Sequence, residues 1–243
     1  MSLRNTSNGK RIAVVTGAGR GIGRVITEHL LAHNYQVVAV VRKLADVEEL
    51  ERLFKPNLVA LRCDVTEPSC ETALRECLER NVDHIDLLFN NAGFSAKGKG
   101  ITGLDFQELT NVISVHCYGP IRCVRACLPF LQKSDNACVA NISSRFGSLE
   151  MVSTNAVPNQ ETTYPYRIAK AAMNMFTACL SVELEADRIR VLSIHPGQVK
   201  TSFGASDAAT PPEEAAANIV GIAEGFEKSG AFVHATTGSV LPW

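Results

Sequence analysis

Residues 11–23 read Arg-Ile-Ala-Val-Val-Thr-Gly-Ala-Gly-Arg-Gly-Ile-Gly, an apolar β-branched run that enters a turn with glycines at 17, 19, 21 and 23. The run has strand character, and a helical pattern follows over 22–33. Glycines in such a turn permit a tight reversal and close approach of backbone amides to an anion. They also start a helix whose positive end faces that anion. The spacing is GxxxGxG and not the GxGxxG of the standard dinucleotide fingerprint, but its place after the first strand of a strand–helix–strand unit points to a dinucleotide pyrophosphate.

Outward from this stretch, short β-branched segments at 36–41, 58–63, 85–90, 137–142, 190–195 and 231–234 alternate with helical patterns at 44–54, 68–80, 105–131, 165–187 and 212–228. Parallel strands need helical crossovers, so the alternation predicts a doubly wound α/β fold of the Rossmann type. It would have a parallel sheet of about seven strands and helices on both faces. No linker, repeat or low-complexity tract divides the chain. Residues 1–10 read as a flexible segment and 11–243 as one domain. One interval breaks the rhythm, a Ser/Thr/Asn/Gln/Pro-rich insertion at 145–163, expected as a structureless substrate loop.

The chain has 243 residues with 24 basic and 25 acidic side chains, a net charge of −1. No long-range field favours nucleic acid or an anionic membrane, so the expected partner is a small molecule bound locally. There is no apolar run of spanning length and no signal-peptide pattern at the first residues, which reads as a cytoplasmic protein without membrane association. Eight cysteines, at 63, 70, 77, 117, 123, 127, 138 and 179, lie in apolar segments and are expected as buried free thiols. Their spacings match no metal site.

An NAD enzyme carries an acidic residue for the ribose hydroxyls at the end of the second strand. Here Val41 is followed by Arg42 and Lys43. A guanidinium at 42, with Arg20 in the glycine turn, suits the extra 2′-phosphate of NADP(H). Farther on, Tyr166 and Lys170 stand four apart at the start of a helix opened by Pro165, and so share one face. An ammonium beside a phenol favours the phenolate, which suits the phenol to proton transfer with an alcohol or carbonyl. Ser143 and Ser144 close the fifth strand at the sheet's carboxyl edge, where such folds bind ligands.

Together the Thr16–Gly23 turn, Cys63-Asp64-Val65, Asn90-Asn91-Ala92-Gly93, Asn141-Ile142-Ser143-Ser144, Tyr166-Arg167-Ile168-Ala169-Lys170 and Pro196-Gly197-Gln198-Val199-Lys200-Thr201 resemble the short-chain dehydrogenase/reductase family in its compact branch. The resemblance implies cofactor contacts from Gly17, Gly19, Arg20, Gly21, Ile22, Gly23 and Arg42. Asp64 and Val65 would contact the adenine, Asn91, Ala92 and Gly93 would line the groove, and Pro196, Gly197, Val199 and Thr201 would flank the nicotinamide. It further implies that Ser144 orients the carbonyl and that Tyr166 is the general acid/base. Lys170 would bind the ribose and lower the tyrosine pKa.

Two departures stand out. Where the family usually has asparagine in a VNVxG-like pattern, this chain has Val115-His116-Cys117-Tyr118-Gly119, so His116 is the candidate for the proton relay. The 22-residue separation of Ser144 and Tyr166 exceeds the usual dozen or so. That long segment, with the Thr210-Pro211-Pro212-Glu213-Glu214 and Leu241-Pro242-Trp243 stretches, is similar to the sniffer-type carbonyl reductase and C-factor subgroup. The implied activity is NADPH-dependent reduction of ketones, aldehydes or quinones by a homodimer or homotetramer. The alternatives are a cofactor sensor with little turnover and an NAD-dependent alcohol or steroid dehydrogenase.

Overall fold

The computed structural model describes residues 9–96, 100–157, 164–200 and 210–243. Seven strands, β1 (Ile12–Thr16), β2 (Gln36–Val41), β3 (Leu58–Arg62), β4 (Leu87–Asn90), β5 (Cys138–Ile142), β6 (Arg190–His195) and β7 (Ala231–His234), form one sheet in the order β3-β2-β1-β4-β5-β6-β7. Every pairing is parallel. This is the doubly wound Rossmann-type arrangement. The winding reverses between β1 and β4, so a crevice opens beyond their carboxyl ends.

Among the described residues there are eight α-helices, α1 (Gly21–Ala32), α2 (Leu44–Phe54), α3 (Ser69–Asn81), α4 (Phe106–Ile113), α5 (Gly119–Leu131), α6 (Leu149–Ser153), α7 (Tyr164–Glu183) and α8 (Pro212–Gly225), which cover both faces of the sheet apart from the short α6 in the insertion. Strand side chains alternate between two cores. Ala13 and Val15 pack with Ile26 and Leu30 of α1, Leu50 of α2 and Ile219 of α8. Ile12 and Val14 pack with Leu74 of α3, Cys123 and Cys127 of α5 and Leu180 of α7. Because both faces are covered, β1 and β2 are apolar without alternation. No helix among the described residues is long and apolar enough to cross a membrane.

Three expectations change. The helix expected over 105–131 is interrupted by a π-helical turn at Ser114–Tyr118, closed by the Gly119 amide donating to the Ser114 carbonyl. Pro120 has no amide to donate to the carbonyl four residues back, so the α-helical ladder cannot run through. The 145–163 insertion is not structureless where it is described. A 3₁₀ turn at Arg145–Gly147 begins at Ser144 and α6 begins at Ser148, each serine oxygen accepting a backbone N–H as a cap. The Glu150 amide also donates to the carbonyl of Trp243 at 3.0 Å, tying the insertion to the last residue. Residues 158–163 of the insertion lie outside the described residues, as do 1–8 of the N-terminal segment; Lys10 is held by a 3.1 Å bond from Nζ to Asn57 Oδ1.

The third change concerns the thiols. Cys63, the residue after β3, and Cys70, in the first turn of α3, are not free but joined in a disulfide, the intervening turn bringing their Cα atoms to 5.7 Å. Cys77, Cys123, Cys127 and Cys138 are free and buried, and burial pushes the Cys123 and Cys138 thiols up to about 12.

Candidate active site

The crevice at the winding reversal is a cleft of about 400 Å³. At Gly17 the chain takes φ +68°, and a Cβ there would stand 2.9 Å from the Ala92 Cα, so only glycine lets the turn lie against the segment after β4. Thr16 clamps the same junction. Its hydroxyl donates to the Phe89 carbonyl and accepts the amides of Asn91 and Ala92, while Asn91 Nδ2 donates to the Thr16 carbonyl at 2.9 Å.

Of the residues singled out by sequence, Gly17, Gly19, Arg20, Gly21, Ile22, Arg42, Asp64, Val65, Asn91, Ala92, Gly93, His116, Tyr166, Lys170 and Pro196 line this one cleft. Gly23 is behind the wall, packed against Gly17 and Asn91. Gly197 and Val199 are outside the lining set; Val199 bridges to Thr210. Thr201 lies outside the described residues. Ser144 is buried beside the cleft, whereas its neighbour Ser143 lines it and donates to Asn174 Oδ1 at 2.6 Å.

The inner end of the cleft is built on α7. One face of that helix buries Lys170, Asn174 and Thr177, polar residues at helical spacing, and each is bonded across to the segment closing β5. Lys170 Nζ donates to the Ile142 carbonyl at 2.6 Å, and Asn174 Nδ2 to the Gly147 carbonyl at 3.1 Å. Thr177 Oγ1 accepts from Asn141 Nδ2 at 2.9 Å. At Gly147 a Cβ would meet the Lys170 backbone at 2.8 Å, so the chain after Ser144 can press directly on α7. This rotation of α7 sets Tyr166 toward the cleft, with its hydroxyl hydrogen-bonded to Ser144.

Burial pushes the Tyr166 phenol up to about 12, and the Ser144 bond only partly offsets this. The expected lowering by Lys170 is absent in this state. The ammonium is 5.7 Å from the ring centre and is occupied with the Ile142 carbonyl, while burial pushes the lysine itself down to about 7. His116 is placed by the π turn edge-on to Tyr166, with ring centres 5.5 Å apart. Its Nε2 bonds the Phe94 carbonyl at 2.9 Å; a carbonyl only accepts, so Nε2 carries the hydrogen and Nδ1 is an acceptor. That buried Nδ1 has no hydrogen-bond partner among the described residues. Burial and Lys170 hold the imidazole well below its usual range, so it is neutral at pH 7.

Two contributors escaped the sequence reading. Asp46, in the first turn of α2, brings its carboxylate over Gly19, where a Cβ would be 2.6 Å from Oδ2, and so adds negative charge to a wall otherwise marked by Arg20, Arg42 and Lys43. Its only signal was an acid in a first helical turn, which usually answers the helix dipole. Asn174 was also missed, since one polar residue inside a helical pattern gives no sign of the strand it meets. Among the described residues no cluster of His, Cys, Asp or Glu is arranged to hold a metal.

The family model described as short chain dehydrogenase matches residues 11–211. The chain belongs to the short chain dehydrogenase family. It is similar to the NADPH-bound carbonyl reductase from chicken fatty liver, with 30% identity, TM-score 0.86, and 96% of this chain and 99% of that one covered. The carbonyl reductase Sniffer of D. melanogaster gives 29% identity and TM-score 0.85 over the same shares. C-signal of Myxococcus xanthus is 31% identical over 161 residues, covering 65% of this chain and 93% of its own length. The sequence-level likeness to the sniffer and C-factor subgroup is thus carried by the whole fold as well as by the motifs.

The depressed lysine has a measurable cost to this family member. An unfolded lysine keeps its proton up to about 10.5 and the folded one only up to about 7, so between these values the unfolded state binds more protons and stability rises with pH. Replacing Lys170 by Met removes the buried charge and should stabilise the fold at pH 7 by about 3 kcal/mol after loss of the bond to Ile142. The difference in denaturant midpoint should shrink as pH is raised from 7 and reverse before 10.5, where the neutral Lys170 keeps its bond to Ile142; a constant difference across that window contradicts the assignment.

Proposed function

We propose that this short chain dehydrogenase is an NADP(H)-dependent carbonyl reductase that takes a ketone, aldehyde or quinone. The observation that carries the reading is one cleft with a cationic glycine turn at one end and the buried Ser144–Tyr166–Lys170 group at the other. The residues present fit the dinucleotide. The side-chain-free turn at Gly17, Gly19 and Gly21 leads into the N-terminus of α1 and would hold the pyrophosphate. Arg20 and Arg42 would hold the 2′-phosphate, Asp64 and Val65 the adenine, Lys170 the nicotinamide ribose, and Pro196, Gly197, Val199 and Thr201 the nicotinamide. Bound there, the nicotinamide supplies the hydride.

The side chains supply the proton and the positioning. With its phenol held near 12, Tyr166 is protonated at neutral pH and stands as the donor to a carbonyl oxygen. Ser144, already bonded to that phenol, is placed to steady the same oxygen as charge develops on it. The phenolate left behind is stabilised by the ammonium of Lys170. His116 is a positioning residue whose acceptor Nδ1 would hold a water that returns a proton to Lys170. The closed carbonyl bond of its Nε2 fixes the tautomer this requires.

NADPH oxidation, followed at the nicotinamide absorbance against a panel of quinones, diketones and aldehydes, tests the reading. Turnover is expected, and Tyr166→Phe should lower kcat by about 10²- to 10⁴-fold; binding without oxidation across the panel marks a cofactor sensor instead. Arg42→Ala should cut the preference for NADPH over NADH by about 10- to 100-fold, the worth of a charge-assisted bond to phosphate. An unchanged preference removes Arg42 from that role. His116→Asn should keep most turnover while His116→Ala loses it with an altered pH profile; identical behaviour of the two excludes the relay.

A further inference from the structure

The disulfide lies in the wall of the cleft. Cys63 follows the last residue of β3, donates its amide to the Val41 carbonyl at 2.7 Å, and lines the cleft. Cys70 is buried in the first turn of α3. The bridge between them, seven positions apart, closes a turn whose first two residues after Cys63 are Asp64 and Val65, both on the cleft wall. Inside the turn, Asp64 Oδ1 accepts from the Thr66 amide and hydroxyl at 3.0 and 2.8 Å, and its carbonyl accepts the Glu67 amide. The Glu67 carbonyl in turn accepts the Cys70 amide at 3.0 Å. Apart from the bridge, the wall is held by these local bonds, by Val65, which is buried in the core and whose carbonyl accepts from Arg122 Nη1 of α5 at 3.2 Å, and by the partly exposed Arg42–Asp64 pair; none of these polar contacts joins β3 to α3. With it, one end of the wall is fixed to the strand and the other to a residue buried in the core.

We propose that Cys63 and Cys70 are a reversible thiol–disulfide site that sets affinity for the dinucleotide, the bridged form holding the Asp64–Val65 wall in the conformation that binds. The inference rests on the cofactor reading above. The chemistry needs only a small disulfide such as glutathione disulfide. The Cys63 thiolate, which reaches the cleft, attacks one of its sulfurs; a mixed disulfide forms and one glutathione thiolate leaves. The Cys70 thiolate then attacks the Cys63 sulfur and expels the second glutathione thiolate. Two protein thiols are oxidised, giving up two electrons and two protons, and glutathione disulfide is reduced to two thiols. Dithiothreitol reverses the exchange.

The full chain, equilibrated with glutathione disulfide or with dithiothreitol, is alkylated and mapped by peptide mass, and NADPH affinity is titrated on each form by fluorescence. The oxidised protein should carry the 63–70 link and bind NADPH about three- to tenfold tighter, because the competent wall no longer has to be selected from others. The Cys63→Ala/Cys70→Ala double variant should bind as the reduced protein does in both buffers, which separates the bridge from modification of the exposed Cys179. Should that variant not fold, the wild-type pair of affinities decides. Both cysteines alkylated after oxidation, or a link with equal affinities, overturns the proposal while leaving the cofactor reading intact. NADPH binding to neither form overturns that reading and this proposal with it.

Discussion

The site depends on a set of buried hydrogen bonds between α7 and the end of β5. Lys170, Asn174 and Thr177 occupy a helix face that an ordinary crossover would fill with aliphatic side chains, and each would be costly there without a partner. The partners are the Ile142 carbonyl, Ser143 with the Gly147 carbonyl, and Asn141. Asn141 extends the network to Asn90 of β4 at 2.8 Å, and Thr177 meets Ser193 of β6 at 2.8 Å. Apolar contacts tolerate a helix rotated by some tens of degrees; directional bonds at three successive levels do not. The same bonds that fix α7 on the sheet therefore fix Tyr166 against Ser144.

That arrangement explains how opposing shifts coexist in one place. Removing Tyr166 and Lys170 from water favours the neutral form of each, so the phenol keeps its proton and the amine binds its own less firmly. His116 is neutral for the same reason. In the free protein the phenol keeps its proton, and the Lys170 side chain is held by the Ile142 carbonyl instead of by the phenol. At the other end of the cleft, charge is balanced more evenly than the basic residues alone suggest. Asp46 overlies the glycine turn, and Arg42 Nη1 stands 3.9 Å from Asp64 Oδ2. Both members of that pair have solvent access, so the contact is weak enough to yield to a phosphate.

Much of this was legible in the chain itself. Short β-branched, unbroken apolar runs located the strands to within a residue or two, because strands covered on both faces must be apolar on both. The Gly17 turn and the Tyr166–Lys170 spacing were readable because their chemistry is local: a positive φ, a pyrophosphate cradle, two side chains one turn apart. What escaped was set by partners distant in sequence. The π turn at His116 follows from Pro120, a residue that read as ordinary helix within the expected 105–131 span. The insertion read as loop because its helix-forming content is short, and its order comes from serine caps and from the bond of Glu150 to the last residue.

The sequence by itself determined the strand–helix alternation, the glycine turn after the first strand and the placing of Tyr166 and Lys170 on one helix face, since each rests on residues within a few positions of one another. Only the tertiary structure decided the rest. It joined Cys63 to Cys70 across the mouth of α3, brought Asp46 over Gly19, and turned His116 onto Tyr166. It also reversed the expected direction of the tyrosine shift. Spacing tells which charges are near a group, but how far water is excluded from it depends on every element packed around it, and at Tyr166 that exclusion outweighs the nearby ammonium.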